Sequence, residues 1–317
     1  MTRFGYFLSC EEYGPDELIR QARLAEEAGF GALWISDHFH PWLDEQGHSP
    51  FVWSMIGAVS QVTSLPVTTA VTCPLARQHP AVVAQAAATS ALLTGGSFTL
   101  GVGTGEALNE HILGDRWPSA EERLEMLEEA VGVIRELLTG KLITHHGKHY
   151  QVDTARLYSV PDGPLPIFMS GFGEKSVKLA ARLADGYICV QPRAGLVRLY
   201  RESGGGDRPV QGGMKVAWGP DAAQARKTLH RLWPNEGIPG EAAQLLPLPR
   251  HFAELSQLVP EDAMSAPAGP DPEVHLAGIR AYVEAGFDEV YIGQVGGELD
   301  GFFDFYANTV LPRLREG

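Results

Sequence analysis

The sequence predicts a TIM-type (β/α)8 barrel, and three observations carry that prediction. Short apolar runs at 4–8, 32–35, 66–71, 98–102, 166–170, 186–190, 212–217 and 289–293 alternate with segments of helical period. One local pattern, a helix end followed by glycine and then an apolar strand, occurs three times. It is read at Ala28-Gly29-Phe30 before Leu33-Trp34-Ile35, at Asp185-Gly186 before Tyr187-Ile188-Cys189, and at Ala285-Gly286-Phe287 before Val290-Tyr291-Ile292. Polar side chains also collect where strands should stop, as Ser36-Asp37-His38-Phe39-His40-Pro41-Trp42 and as Gly103-Thr104-Gly105-Glu106. Alternating strand and helix imply βαβ units and a parallel sheet. A closed parallel barrel builds its active site at the carboxyl ends of its strands.

The elements follow in order. Pro15 starts a helix over 15–28 that puts Leu18, Ala22, Ala25 and Ala28 on one face. Glycine in the left-handed conformation then stops the helix, and a short loop leads to the next strand. Further helices are expected near 51–63, 80–93, 119–138, 174–184, 220–232, 273–285 and 301–314. Two insertions interrupt the alternation. Residues 140–157 alternate polar and apolar around His146-Gly147-Lys148, as a hairpin does, and 234–262 are rich in Pro and Leu, as short helices before the last strand. No linker separates a second domain, so residues 1–317 read as one barrel with insertions.

Composition narrows the function. An apolar fraction of 44% supports a sizeable core, and a net charge of −14 disfavours nucleic acid and anionic membrane as partners. No apolar stretch approaches the roughly 20 residues that span a bilayer, and the N-terminal apolar run is too short for a secretory signal. Cys10, Cys73 and Cys189 are odd in number and far apart, which points to a reducing cytoplasm rather than a disulfide framework.

At the strand ends, His38 is best placed for general acid–base work, worth typically about 10²–10⁴-fold in rate. A metal reading of Asp37, His38 and His40 is weaker, because three ligands from one tripeptide rarely close a site. His145, His146 and His149 read as solvated surface of the hairpin. Asp37 has three readings: orienting an imidazole, accepting a hydrogen bond from a cofactor ring, or capping the next turn. Trp42 reads as the wall of a planar ligand. Glu106 either faces the pocket or favours a helix N-terminus. Gly101 to Gly105 lack the spacing of a dinucleotide fingerprint. Ser170-Gly171-Phe172-Gly173 opens a helix and offers backbone N–H groups for a phosphate.

Read together, SDHFHPW at 36–42, GHSPF at 47–51, VTCP at 71–74, GVGTGEALNE at 101–110 and SVPDGPLPIFMSGFG at 159–173 resemble the luciferase-like flavin and deazaflavin oxidoreductases. Within them the chain is most similar to the coenzyme F420-dependent glucose-6-phosphate dehydrogenase group. The resemblance implies a homodimeric barrel that binds F420. It implies catalytic roles for His38 (base toward the substrate hydroxyl), Glu106 (proton source at the ring) and Trp42 (positioning of the reacting carbon). It places Asp37, Val71, Thr72, Cys73, Thr104, Gly105, Asn109, Ser170, Gly171 and Gly173 against the cofactor, with a non-proline cis peptide beneath the ring. Glu11 and Arg193 would face the substrate. Family members that use sugar phosphates present three cations. Arg193 matches one, while the other two positions fall near Glu254 and Met264-Ser265, neither cationic. The resemblance therefore implies a less anionic alcohol, sugar or aldehyde. Two alternatives are an FMN-dependent monooxygenase and a non-catalytic flavin-binding barrel.

Overall fold

Side-chain parity along the strands decides what fills this molecule. A computed structural model describes residues 2–316. The chain runs through β1 (Arg3–Leu8), α1 (Pro15–Ala28), β2 (Leu33–Ile35), α2 (Val52–Val59), β3 (Val67–Thr69), α3 (Pro80–Leu93), β4 (Phe98–Val102), α4 (Ala107–Glu110) and α5 (Ala120–Leu138). It continues through β5 (Ile143–His146), β6 (Gln151–Ala155), β7 (Ile167–Ser170), α6 (Glu174–Leu183), β8 (Gly186–Cys189), α7 (Ala194–Tyr200), β9 (Val210–Val216) and α8 (Ala222–Leu232). The last part holds α9 (Ala242–Leu245), α10 (Pro249–Ser256), α11 (Pro272–Glu284), β10 (Glu289–Gln294), α12 (Leu299–Phe305) and α13 (Leu311–Glu316).

Eight strands close into a barrel in the order β1-β10-β9-β8-β7-β4-β3-β2, and every neighbouring pair is parallel. The predicted (β/α)8 barrel is thus the fold found. Outside it, β5 and β6 form an antiparallel pair. A 3-10 turn at Pro234–Gly237, then α9, α10 and a second turn at Glu261–Ala263, lie between α8 and α11. No helix among the described residues is long and apolar enough to cross a membrane.

The recurring glycine has two physical origins. Gly29 and Gly286 take φ of 90° and 91°, the left-handed conformation that ends α1 and α11. Gly186 does not. There α6 stops at extended Ala184 (φ −94°, ψ 159°), and a Cβ at 186 would lie 2.4 Å from the Phe168 ring. Close approach, not backbone twist, requires that glycine. Two further departures concern helices: α7 was not expected, and the last helix divides into α12, a π-helical turn at Tyr306–Val310 and α13.

Outward-facing strand residues such as Leu8, Leu33, Leu100 and Ile167 pack under the helices in the main core. Inside the barrel sit Phe7, Trp34, Phe168, Ile188 and Tyr291. Trp34 stacks on Tyr291 at 4.5 Å and 9°, and its Nε1 donates to Gln211 Oε1 at 2.9 Å. A Cβ at Gly213 would lie 2.1 Å from the indole, so glycine there admits Trp34. Toward the strand N-termini, Glu289 Oε2 accepts from Tyr291 Oη at 2.6 Å and Gln211 Nε2 at 3.1 Å. The barrel is plugged below, and its chemistry is confined to the opposite mouth.

Candidate active site

His38 leaves the end of β2 and meets Glu11 from the loop after β1. Its Nε2 lies 3.5 Å from Glu11 Oε1, and its Nδ1 lies 3.2 Å from the His40 carbonyl oxygen. A carbonyl only accepts, so Nδ1 carries the proton of the neutral ring and Nε2 is the basic atom. A proton arriving at Nε2 is then stabilised by the carboxylate behind it. Glu11 is buried and accepts from Ser9 Oγ at 3.0 Å and Ser36 Oγ at 2.6 Å. Burial pushes its carboxyl up, but the charge of a protonated His38, the Lys215 ammonium and the Ser36 hydroxyl together hold it below the usual carboxylate value. Trp42 stands with its ring centroid 5.1 Å from that of His38 and is wedged edge-on by Phe252 of α10.

Asp37 does not orient His38; that reading is corrected by its partners. Its Oδ1 accepts from Arg77 Nη2 at 2.9 Å, and its Oδ2 accepts from Thr72 Oγ1 and Gln78 Nε2, each at 2.9 Å. Arg77 also reaches Glu110, whose Oε2 accepts the Arg77 backbone N–H at 2.8 Å. Asp37, Arg77 and Glu110 form a buried charged triad that ties the ends of β2, β3 and β4 together. The carboxylate that serves His38 is Glu11.

After β3, the Ala70–Val71 peptide is cis, and Thr72 stays in register with β4 by donating its N–H to Gly101 at 2.8 Å. Cys73 is buried, with its Sγ lying where a Cβ at Gly105 would reach to 2.5 Å. Gly105 has φ +68°. Glycine is needed there for both reasons, and the backbone of Gly103-Thr104-Gly105 passes close under the mouth. Thr104 and Glu106 are half-buried. Glu106 starts α4 in extended conformation with no side-chain cap, so its carboxylate does not accept from the backbone N–H groups of its own helix. Asn109 joins the two motifs: its Oδ1 accepts from the Phe39 and His40 backbone N–H groups at 2.9 and 3.2 Å, and its Nδ2 lies 3.4 Å from Glu106 Oε2.

Ser170 ends β7, and Gly171 is pinned there because Tyr187 Oη donates to its carbonyl at 2.6 Å. A Cβ at 171 would meet Ser176 Oγ at 2.6 Å. Gly173 is exposed at the start of α6, and Phe172 is also exposed. Arg193 is exposed at the start of α7 and has no ion-pair partner among the described residues. The hairpin histidines lie elsewhere: His145 Nε2 is 3.1 Å from Glu129 Oε1 on α5. Among the described residues no group of three His, Cys, Asp or Glu could hold a metal.

Sequence reasoning passed over Arg77, Gln78, Lys215, Trp233 and Glu236. Lys215 had a usable signal, since it shares the inward parity of Gly213 two residues earlier. Its Nζ lies 2.8 Å from Glu236 Oε1 and 3.7 Å from the Trp233 ring centroid. Arg77 had none, being one cation in an irregular loop.

The family described as luciferase-like monooxygenase matches residues 2–289. The chain belongs to that family. This luciferase-like chain is 34% identical over 331 residues to an F420-dependent glucose-6-phosphate dehydrogenase of Microbacterium testaceum, covering 99% of this chain and 98% of that one. It is 35% identical to the protein of the same description from Nakamurella multipartita, covering 99% and 96%. Among solved structures, an F420-dependent secondary alcohol dehydrogenase in complex with an F420-acetone adduct superposes with a TM-score of 0.92 at 30% identity, covering 99% of each chain.

Proposed function

We propose that this luciferase-like chain is a coenzyme F420-dependent oxidoreductase that acts on CH–OH or C=O carbons. The observation that carries the reading is the His38–Glu11 pair beside Trp42, joined through Asn109 to the loop of Glu106. The family, the F420-dependent relatives and the alcohol dehydrogenase likeness support it. We read residues 1–317 as one barrel domain with insertions.

The residues present suit such a cofactor. The glycine backbone at 103–105 lets Val71 and Cys73 pack directly against it, and the segment Val71-Thr72-Cys73 beside Asp37 would form the floor under a flat ring. Ser170, Gly171 and Gly173, with the N-terminus of α6, suit a phosphate, and Asn109 secures the neighbouring loop. When bound, coenzyme F420 supplies a deazaflavin that accepts hydride from an alcohol carbon or returns it to a carbonyl. His38 takes the substrate hydroxyl proton at Nε2, and Glu11 stabilises the imidazolium. Glu106, on the loop after β4, would pass to the ring the proton it gains with the hydride. Trp42 fixes the reacting carbon and keeps water out. Arg193 takes a polar group of the substrate at the rim.

Fluorescence titration with F420 and, separately, with FMN tests the cofactor. F420 should bind; tight FMN binding without F420 binding would install the monooxygenase reading. His38→Ala should lower turnover by about 10²–10⁴-fold, and an unchanged rate would leave a non-catalytic barrel.

The homodimer and the reducing cytoplasm are part of this proposal. Phe51, Val82 and Leu93 form an exposed apolar groove on α2 and α3, suited to a second copy. All three cysteines are buried and unpaired. Light scattering should give twice the chain mass.

A further inference from the structure

Lys215 is a cation whose charge reaches Glu11, the partner of the proposed base, and it already has an anion. It projects from the mouth end of β9 with its Nζ 5.3 Å from the Phe7 ring centroid and 3.7 Å from that of Trp233. Its charge reaches both Glu11 and Glu12. Its ammonium donates to Glu236 Oε1 at 2.8 Å. Glu236 belongs to the Pro234–Gly237 turn, which Trp233 ties to the β1 loop by donating from Nε1 to Glu12 Oε2 at 2.7 Å. The side chain of Lys215 is 13% exposed and that of Glu236 37%, so the carboxylate lies on the outer side of the ammonium.

We propose that Glu236 is a specificity-determining residue: its carboxylate occupies the position on Lys215 that an anionic substituent would take, so the pocket selects uncharged alcohols over phosphorylated ones. This deepens the functional reading above and rests on it for the identity of the pocket. A phosphate monoester entering here must displace Glu236 from Lys215 and lie near Glu11 and Glu12. One ammonium then faces three carboxyls. An uncharged hydroxyl compound meets no such repulsion. Arg193 and Arg250 are exposed, so neither supplies a buried counter-charge.

The test uses inorganic phosphate as the probe. Thermal unfolding of the full chain is followed in tens of millimolar phosphate against chloride of equal ionic strength, since a ligand that binds the native state raises the midpoint. The wild type should show only the shift given by its Ser170-Gly171-Gly173 loop, one that Lys215→Met leaves unchanged. Glu236→Gln should show a clearly larger one, corresponding to about tenfold tighter phosphate binding or more. Glu236→Gln combined with Lys215→Met should lose that increment. Equal shifts in wild type and Glu236→Gln, or an increment that survives loss of Lys215, would overturn the proposal. If Glu236→Gln does not fold, Lys215→Met alone still decides, because a wild-type shift that it lowers contradicts a shielded Lys215. A parallel F420 titration separates the two readings. Failure to bind F420 removes the cofactor assignment, while the phosphate arms still report on Lys215 and Glu236.

Discussion

The side-chain carbonyl of Asn109 accepts the backbone N–H of Phe39 at 2.9 Å. One amide from α4 thereby sets the position of the loop that carries His38, and its other end lies beside Glu106. Asn109→Ala leaves the Phe39 and His40 N–H groups without their acceptor and should cost about 1–3 kcal/mol. Asn109→Asp preserves the acceptor but brings a second carboxylate to Glu106. Its stability loss should therefore grow as pH rises through the carboxylate range, because two adjacent carboxyls share a proton at low pH and repel at high pH. Urea unfolding of both variants at pH 5 and pH 8 checks this; a pH-independent loss for Asn109→Asp would refute it.

Arg77 compensates two buried carboxylates. Removing it as Arg77→Met should cost about 3–5 kcal/mol, since breaking a buried pair leaves uncompensated charge. Glu110 is already pushed up by burial, against the pull of Arg77. A raised native value means that protonation favours the folded state, so the penalty in Arg77→Met should shrink as pH falls. Denaturant midpoints measured from pH 8 to pH 5 would show the gap to wild type narrowing.

Glu11 behaves in the opposite sense. Its native value lies below 4.5, its ordinary one. It therefore contributes stability that is fully present above that ordinary value and is lost as pH falls through the native one. Glu11→Gln should flatten this acid-side loss and, by removing the carboxylate behind Nε2, reduce kcat by about 10²-fold. Stability profiles below pH 5, combined with steady-state kinetics at neutral pH, test both halves. A variant with wild-type kcat would separate Glu11 from the chemistry.

Gly105→Ala forces a left-handed residue, at about 1–2 kcal/mol, and drives a methyl into Cys73 Sγ. Melting temperature and F420 affinity should both fall. Adding Cys73→Ala should restore part of the stability, because the sulfur is the nearest obstacle. No rescue would place the cost wholly in the backbone.

The barrel was legible because buried parallel strands are near-continuous apolar runs, and each of the eight barrel strands falls on one of the runs read from sequence, apart from one- or two-residue extensions at their ends. His38, Trp42 and Glu106 were legible as polar residues at strand ends. Their partners were not. Asp37 and His38 are sequence neighbours, so adjacency suggested a pair, yet neighbouring residues on an extended segment point apart and Asp37 turned to Arg77. Glu11 reaches His38 from the loop of the neighbouring strand, a contact that no local pattern encodes. The α7 helix, seven residues long with Gly195 in its first turn, is too brief for a helical period to announce itself. Gly186 shows the converse error, a correct strand reached through the wrong reason.

The stack of Trp34 on Tyr291 has a kinetic consequence. With that floor in place the barrel is a vessel with a single door, and whatever sits deeper must wait for whatever sits nearer the rim. Turnover should follow an ordered rather than a random sequence, with the molecule that enters first departing last.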